Sequence, residues 1–254
     1  MPFTISHAAA ALPFSRTGLP LAALMIGSMS PDFAYFVPDG PGLLSHSLPG
    51  LFKFCWPVGL SVWLVYVHLL ETPTLALLPD GWRNMFQRSD RAFTSRNFAL
   101  ATLAVLLGAA THILWDGFTH GKTPVVHHLP FLETTQIEFF GKQFPLYRFL
   151  QHLSTVVGLV VLAAWVVLRR KTRAAAIDPT PPARAATHGE RVFALLLVLG
   201  LPTLLGVGGY LEFPRLPFGR RLFHGAMGGM TGLALAWIAI ALFLQLRLRT
   251  RPEV

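Results

Sequence analysis

The sequence predicts an all-α fold: a polytopic membrane helical bundle of about five spans beneath an extracytoplasmic cap of short helices. Three observations predict it. The first is composition, with 53 % of residues hydrophobic and 13 % charged, where a soluble domain carries about 25 % charged residues. The second is a set of five apolar stretches, Phe52–Leu70, Phe98–Trp115, Leu153–Leu168, Val192–Leu211 and Ala226–Leu246, each near the ~20 residues that cross a bilayer. The third is positive charge that collects at alternate ends of those stretches.

The chain 1–254 reads as a single membrane domain: an N-terminal cap segment over 1–51, a transmembrane bundle over 52–246, and a cytoplasmic linker over 169–190. In the cap, Thr4 or Ser6 can start a short helix over His7–Leu12, which Pro13 stops. Leu19–Ser28 is apolar but short. Ser30-Pro31-Asp32 then has the chemistry of a helix start: a capping hydroxyl, a residue with no N–H to lose, and a carboxylate at the positive helix end. Taken whole, Leu19–Val37 is long enough to be a sixth span, which is the alternative to a cap. Arg16 followed by Leu19–Ile26 has only a faint likeness to a secretory signal. Pro38-Asp39-Gly40-Pro41-Gly42 is a turn by its residues.

Within the bundle, Pro57 and Pro202 need neighbours that cover the carbonyls they free. Gly225, Gly228, Gly229 and Gly232 give the last span a small-residue face for close packing. Short helices are expected in the loop 117–150. Residues 174–190, rich in Ala and Pro, read as a flexible connection.

Orientation follows from Lys and Arg. Thirteen of the 21 lie in three segments: Arg83, Arg88, Arg91 and Arg96; Arg169, Arg170, Lys171, Arg173, Arg184 and Arg191; Arg247, Arg249 and Arg251. With five spans these share one side, which the positive-inside rule makes cytoplasmic. The N-terminal segment, the loop 116–152 and the loop 212–225 then face outward from a multi-pass inner-membrane protein. The net charge of +9 does not point to nucleic acid, because the basic residues flank apolar stretches. One cysteine, Cys55, excludes an intrachain disulfide framework and a cysteine-rich metal site.

The chemistry gathers at Thr111-His112-Ile113-Leu114-Trp115-Asp116-Gly117-Phe118-Thr119-His120. Spacings of four put His112, Asp116 and His120 on one helix face. If Gly117 ends the helix, His120 reaches back from the loop. Ionisable groups at a membrane helix mark function by default, and imidazole with carboxylate is a ligand set for zinc. His7, Asp32 and His46 complete that set from the cap, with His152 a secondary candidate. A bound ion would lower the pKa of water to give a nucleophile. No serine or cysteine nucleophile with a matching base stands out.

Each residue also has a plain reading. Asp32 suits a helix start, His46 a loop, His127 and His128 a solvated turn, and the whole set a hydrogen-bonded polar cluster. Two functional classes therefore stand: a membrane-embedded metal-dependent hydrolase of an ester or phosphoester, with membrane lipid or a small molecule as substrate, and a non-catalytic membrane protein with a structural His/Asp or metal site. A transporter would need polar residues through the depth of the bundle, and the last two spans offer few.

Met1-Pro2-Phe3-Thr4-Ile5-Ser6-His7-Ala8-Ala9, then Ile26-Gly27-Ser28-Met29-Ser30-Pro31-Asp32-Phe33, His46-Ser47, Thr111-His112, Asp116-Gly117 and Gln151-His152-Leu153-Ser154-Thr155, together resemble an uncharacterised bacterial membrane family, domain of unknown function 4184. That name implies no activity. The order Ser-His, Pro-Asp, His, HxxxD is more distantly similar to inner-membrane metal-dependent hydrolases and zinc-dependent phospholipases C. That likeness implies that His7, Asp32, His46, His112, Asp116 and His120 are metal ligands. The chain departs from the phospholipases in two places. Their second metal-binding helix carries HxxxE, where His152 here is followed four residues on by Val156, and their amino-terminal tryptophan ligand is absent.

Overall fold

The computed structural model describes residues 4–36, 42–83, 94–173 and 185–250. Met1-Pro2-Phe3, the turn at 38–41, Arg88, Arg91, the linker residues 174–184 and Arg251 lie outside the described residues. The fold is all-α apart from one hairpin. Among the described residues five helices are long and apolar enough to cross a membrane, which marks a membrane protein. They are α2 (Leu48–Leu77), α3 (Ser95–Thr119), α4 (Leu146–Arg173), α5 (His188–Glu212) and α6 (Phe218–Thr250). The apolar stretch after Arg16 forms α1 (Leu21–Met29), whose nine residues reach about 14 Å, well short of a bilayer core. Leu19–Val37 is not among the five candidate spans found in the described residues.

The chain packs as two compact units. One comprises Met1–Trp63 and Ala92–Arg169, the other Leu64–Arg91 and Arg170–Val254.

In the first unit a 3₁₀ helix, Thr4–Arg16, precedes α1, and two further 3₁₀ turns follow, Ser30–Phe36 and Gly42–His46. Ser30 opens the second 3₁₀ helix, with Asp32 in its first turn, as its residues lead one to expect. Its hydroxyl donates to the Gly27 carbonyl at 2.8 Å and so finishes α1. Thr94 caps α3 by accepting from the Asn97 amide. The buried residues of α3 are Ala101, Ala104, Val105, Gly108, Ala109, His112, Asp116 and Thr119, one stripe at helical period. His112 and Asp116 thus occupy the core face, and α1 crosses it. A Cβ on Gly27 would strike the Val105 carbonyl, and one on Gly108 would meet the Leu24 carbonyl and, at 2.6 Å, the Ser28 amide. Glycine at both places lets the two backbones touch, the small-residue contact of membrane helices.

Between α3 and α4 run two short helices, Pro124–His128 and Phe131–Thr134, and an antiparallel hairpin, β1 (Gln136–Phe139) with β2 (Lys142–Pro145). The hairpin is a departure from the expected all-helical loop. Phe140 and Gly141 at its turn have φ of 50° and 70°, the geometry that matches strand twist in a two-residue connection.

In the second unit α5 and α6 form a tight pair. A Cβ on Gly228 would run into the Leu205 carbonyl, and one on Gly232 would lie 2.7 Å from that of Leu201. The small-residue face of the last span is where α5 packs. Thr187 and Glu190 start α5 with a reciprocal capping box. The end of α2 holds a π turn, Tyr66–Leu70, which frees backbone carbonyls. Gln245 of α6 supplies the missing donors, bonding the His68 and Leu69 carbonyls at 3.0 Å each.

The α1–α3 crossing yields a direct test. Gly108→Val should destabilise the protein by about 1–3 kcal/mol, the usual cost of overpacking, and lower its unfolding temperature in detergent. Gly200→Ala, where nothing lies within 4 Å of the new methyl, should be neutral or gain up to about 1 kcal/mol from helix propensity. Equal behaviour of the two variants would disprove the close contact.

Candidate metal centre

Four segments of the first unit bring one side chain or more each to a common point: His7 from the first 3₁₀ helix, Asp32 from the second, His46 from the third, and His112 with Asp116 from α3. His46 Nε2 lies 3.3 Å from Asp32 Oδ1 and 3.6 Å from Asp116 Oδ2. His112 Nε2 lies 3.3 Å from Asp116 Oδ2 and 3.7 Å from Asp32 Oδ1. His7 Nε2 lies 3.6 Å from Asp116 Oδ1. The His7 ring stacks on that of His112 with centroids 3.7 Å apart. His7, Asp32, His112 and Asp116 are buried, and His46 is partly so.

The atoms that face this point share one property. His7 Nε2, His46 Nε2, His112 Nε2, Asp32 Oδ1 and both Asp116 carboxylate oxygens are buried and have no hydrogen-bond partner among the described residues. Buried polar atoms are nearly always hydrogen-bonded, so six orphans in one place are a coherent exception. Donors about 2.0–2.2 Å from one ion stand roughly 3–3.6 Å from each other, which is the spacing seen here. Two groups, His7 with Asp32 and His112, and His46 with His112 and Asp116, could hold a metal ion.

The far sides of His112, His46 and Asp32 are occupied, and that fixes their orientation. His112 Nδ1 donates to the Ser28 carbonyl at 2.7 Å. Nδ1 therefore carries a proton, and Nε2 faces the cluster. The α1–α3 contact at Gly27 and Gly108 places that carbonyl within reach. His46 Nδ1 bonds Ser45 Oγ at 2.9 Å, and the Ser45 carbonyl accepts from Cys55 Sγ. Thr4 donates to Asp32 Oδ2 at 2.7 Å, so the hydroxyl expected to cap a helix holds a carboxylate instead. Partners behind each ligand are what metal sites use to set tautomer and aim.

Charge follows the same design. Burial, and then the neighbouring His112, push the His7 imidazole down to about 4, so it is neutral near pH 7 with a free lone pair. Burial would raise the Asp32 carboxyl, but His46, His112, Thr4 and His7 together hold it below its ordinary value, so it is ionised. Burial, then Asp32 and Asp116, lift the Tyr35 phenol to about 12.

His120 and His152 are placed differently. α3 runs on through Gly117 to Thr119, and His120 follows it. Its Nδ1 is 3.2 Å from the Asp116 carbonyl and 3.6 Å from Asp116 Oδ2. Its Nε2 takes the Gln151 side-chain amide at 3.1 Å. Both ring nitrogens are thus engaged at the rim of the cluster. His152 is exposed and its ring lies near Phe144, at 6.2 Å between centroids. Sequence reasoning missed Thr4, Ser45, Gln151 and the Ser28 carbonyl as supports. Thr4, Ser28 and Gln151 stand in the quoted segments without that role, and of the pair Gln151-His152 it is Gln151 that turns inward.

Thr4→Val should cost about 1–3 kcal/mol, the range for depriving a buried charged group of its donor, read as a lower midpoint of thermal unfolding. An unchanged midpoint would rule out a structural role for that bond.

No curated protein and no solved structure matches the chain. Residues 1–243 match the model of the Domain of unknown function (DUF4184), and the chain belongs to that family.

Proposed function

We propose that this protein is a membrane-embedded metal-dependent hydrolase of an ester or phosphoester, with zinc as its ion and its site on the extracytoplasmic face of the inner membrane. The convergence of six orphaned nitrogen and oxygen atoms carries this reading. Two carboxylates buried in one place are costly unless each is compensated. A dication would offset carboxylate charge there and take up the free lone pairs of one of the two groups. His7, Asp32, His46, His112 and Asp116 are the proposed ligands, all types that suit zinc. An ion held there supplies Lewis acidity and a water of lowered pKa.

His120 is proposed as an acid–base group rather than a ligand. Burial holds its pKa below the ordinary value, against the pull of Asp116. With Gln151 donating to Nε2, its proton sits on Nδ1 beside the Asp116 carbonyl and carboxylate. Its side chain is 29 % exposed, so a substrate at the rim that displaces the Gln151 amide would meet the Nε2 lone pair. His46, 18 % exposed, lies at the same mouth. The side assignment is supported by charge: in the first unit the site lies at the end of α3 opposite Arg96 and at the end of α4 opposite Arg169.

Metal content and turnover test the reading. Purified protein should carry near-stoichiometric zinc by elemental analysis, and His112→Ala should lose it while His152→Ala keeps it. His120→Ala should retain the metal yet slow hydrolysis of bis-p-nitrophenyl phosphate or a p-nitrophenyl ester by about 10²–10⁴-fold, the range for a lost general acid or base. A metal-free protein that stays folded would sink the proposal. Metal without turnover on any ester would leave the non-catalytic alternative, a structural metal site in a membrane protein.

A further inference from the structure

The cluster has an apolar neighbour. A groove of about 380 Å³ runs from Ser6 and His7 along the first 3₁₀ helix and α4, walled by Ala10, Trp115, Leu153, Val157 and Val161. Its volume is within the usual range for small-molecule sites, about 300–1,000 Å³. Its polarity is graded. Ser6, His7 and Ser154, with the indole of Trp115, are the polar side chains on its lining; the other side chains are aliphatic or glycine. Gly158 makes the near wall thin, since a Cβ there would lie 2.7 Å from the Ser6 carbonyl.

The groove is continuous with the lipid-facing side of α4. Val157 is 48 % exposed and Val161 42 %, and the adjoining Val156 and Val160 are exposed by 60 % and 61 %. All belong to a helix long and apolar enough to cross a membrane. Water is excluded at that depth, and the apolar material present is acyl chain. Moving a chain from bilayer to groove yields no hydrophobic gain, because lipid tails are as apolar as the walls. What the groove adds is registration. A chain lying in it has its polar end at His7, whose Nε2 is 3.6 Å from Asp116 Oδ1.

We propose that this groove seats one acyl chain of a membrane lipid and thereby presents the linkage next to that lipid's headgroup to the His/Asp cluster. The substrate class is thus a lipid ester or phosphoester, and this rests on the metal-dependent reading above. His7 is the shared element, binding the ion on one side and closing the groove on the other.

Photo-labelling tests it. The full-length protein is reconstituted in vesicles of phosphatidylethanolamine and phosphatidylglycerol that contain a phosphatidylethanolamine with a mid-chain diazirine. Labels should concentrate on residues 6–10 and 150–161 relative to the outer face of α5. Val161→Trp and Ala10→Trp should each lower that labelling about tenfold while zinc content is unchanged, which shows that the fold survives. Uniform labelling along α4, insensitive to either variant, overturns the proposal and leaves the metal reading intact, as does a crosslinked second copy of the chain covering the groove. Concentrated labelling in a protein that binds no metal supports chain binding and sinks the hydrolase reading instead.

Discussion

Two carboxylates buried within reach of the same imidazoles are the constraint on which the first unit is built. An ionised carboxylate taken out of water costs several kcal/mol unless it is paired and hydrogen-bonded, and here there are two, Asp32 and Asp116, both against His46 and His112. Each surrounding feature reduces that cost or fixes the geometry that does so. Thr4 donates to one carboxylate, glycine at the α1–α3 crossing brings the Ser28 carbonyl to His112, and Ser45 turns His46. None of these would be needed by a helical bundle that only filled a membrane.

The bundle itself was legible because hydrophobicity is a local, additive property. The five apolar stretches each lie inside a helix that extends several residues beyond them, into polar ends such as Thr94–Asn97 that a hydropathy reading discounts. The His112–Asp116 pair was legible for a similar reason: helical spacing is a short-range rule, and the apolar setting marks the exceptions. The role of Thr4 was not, and that of Ser30 was only in part. Both have capping chemistry, and sequence alone assigns them to the nearest helix start; tertiary contact instead gives Thr4 to Asp32, 28 residues away, while Ser30 begins a 3₁₀ helix and its hydroxyl also closes α1 through a local bond to Gly27. Backbone supports are invisible to residue type altogether, as the Ser28 carbonyl shows. The hairpin had a signal in the alternation Gln-Ile-Glu-Phe before Phe140-Gly141, but a four-residue strand is short beside flanking helices.

The same contrast separates His120 from the proposed ligands. By spacing it is equivalent to His112, four residues on the other side of Asp116. The difference is position relative to the helix end. His112 lies within α3, where a neighbouring helix presses a carbonyl against its Nδ1 and leaves Nε2 facing inward. His120 lies just past Thr119, where the chain turns, and both of its nitrogens find partners at the rim. Residues alike in sequence pattern thus differ in whether a lone pair is left over.

That accounting of lone pairs also bears on how many ions the site would take. The two groups that could hold a metal both include His112. Its Nδ1 is spent on Ser28, so only Nε2 remains, and one nitrogen lone pair serves one ion. Both groups therefore cannot be filled as they stand. Asp116 is different, since its two oxygens face different imidazoles, Oδ1 toward His7 and Oδ2 toward His46 and His112. A carboxylate so placed can bridge, but a second ion would have to draw on His7 and Asp32 without His112. Two carboxylates balance one dication and leave a second uncompensated in a buried, low-dielectric place. The donor inventory and the charge balance together favour a single ion, held by one of the two groups that meet at His112.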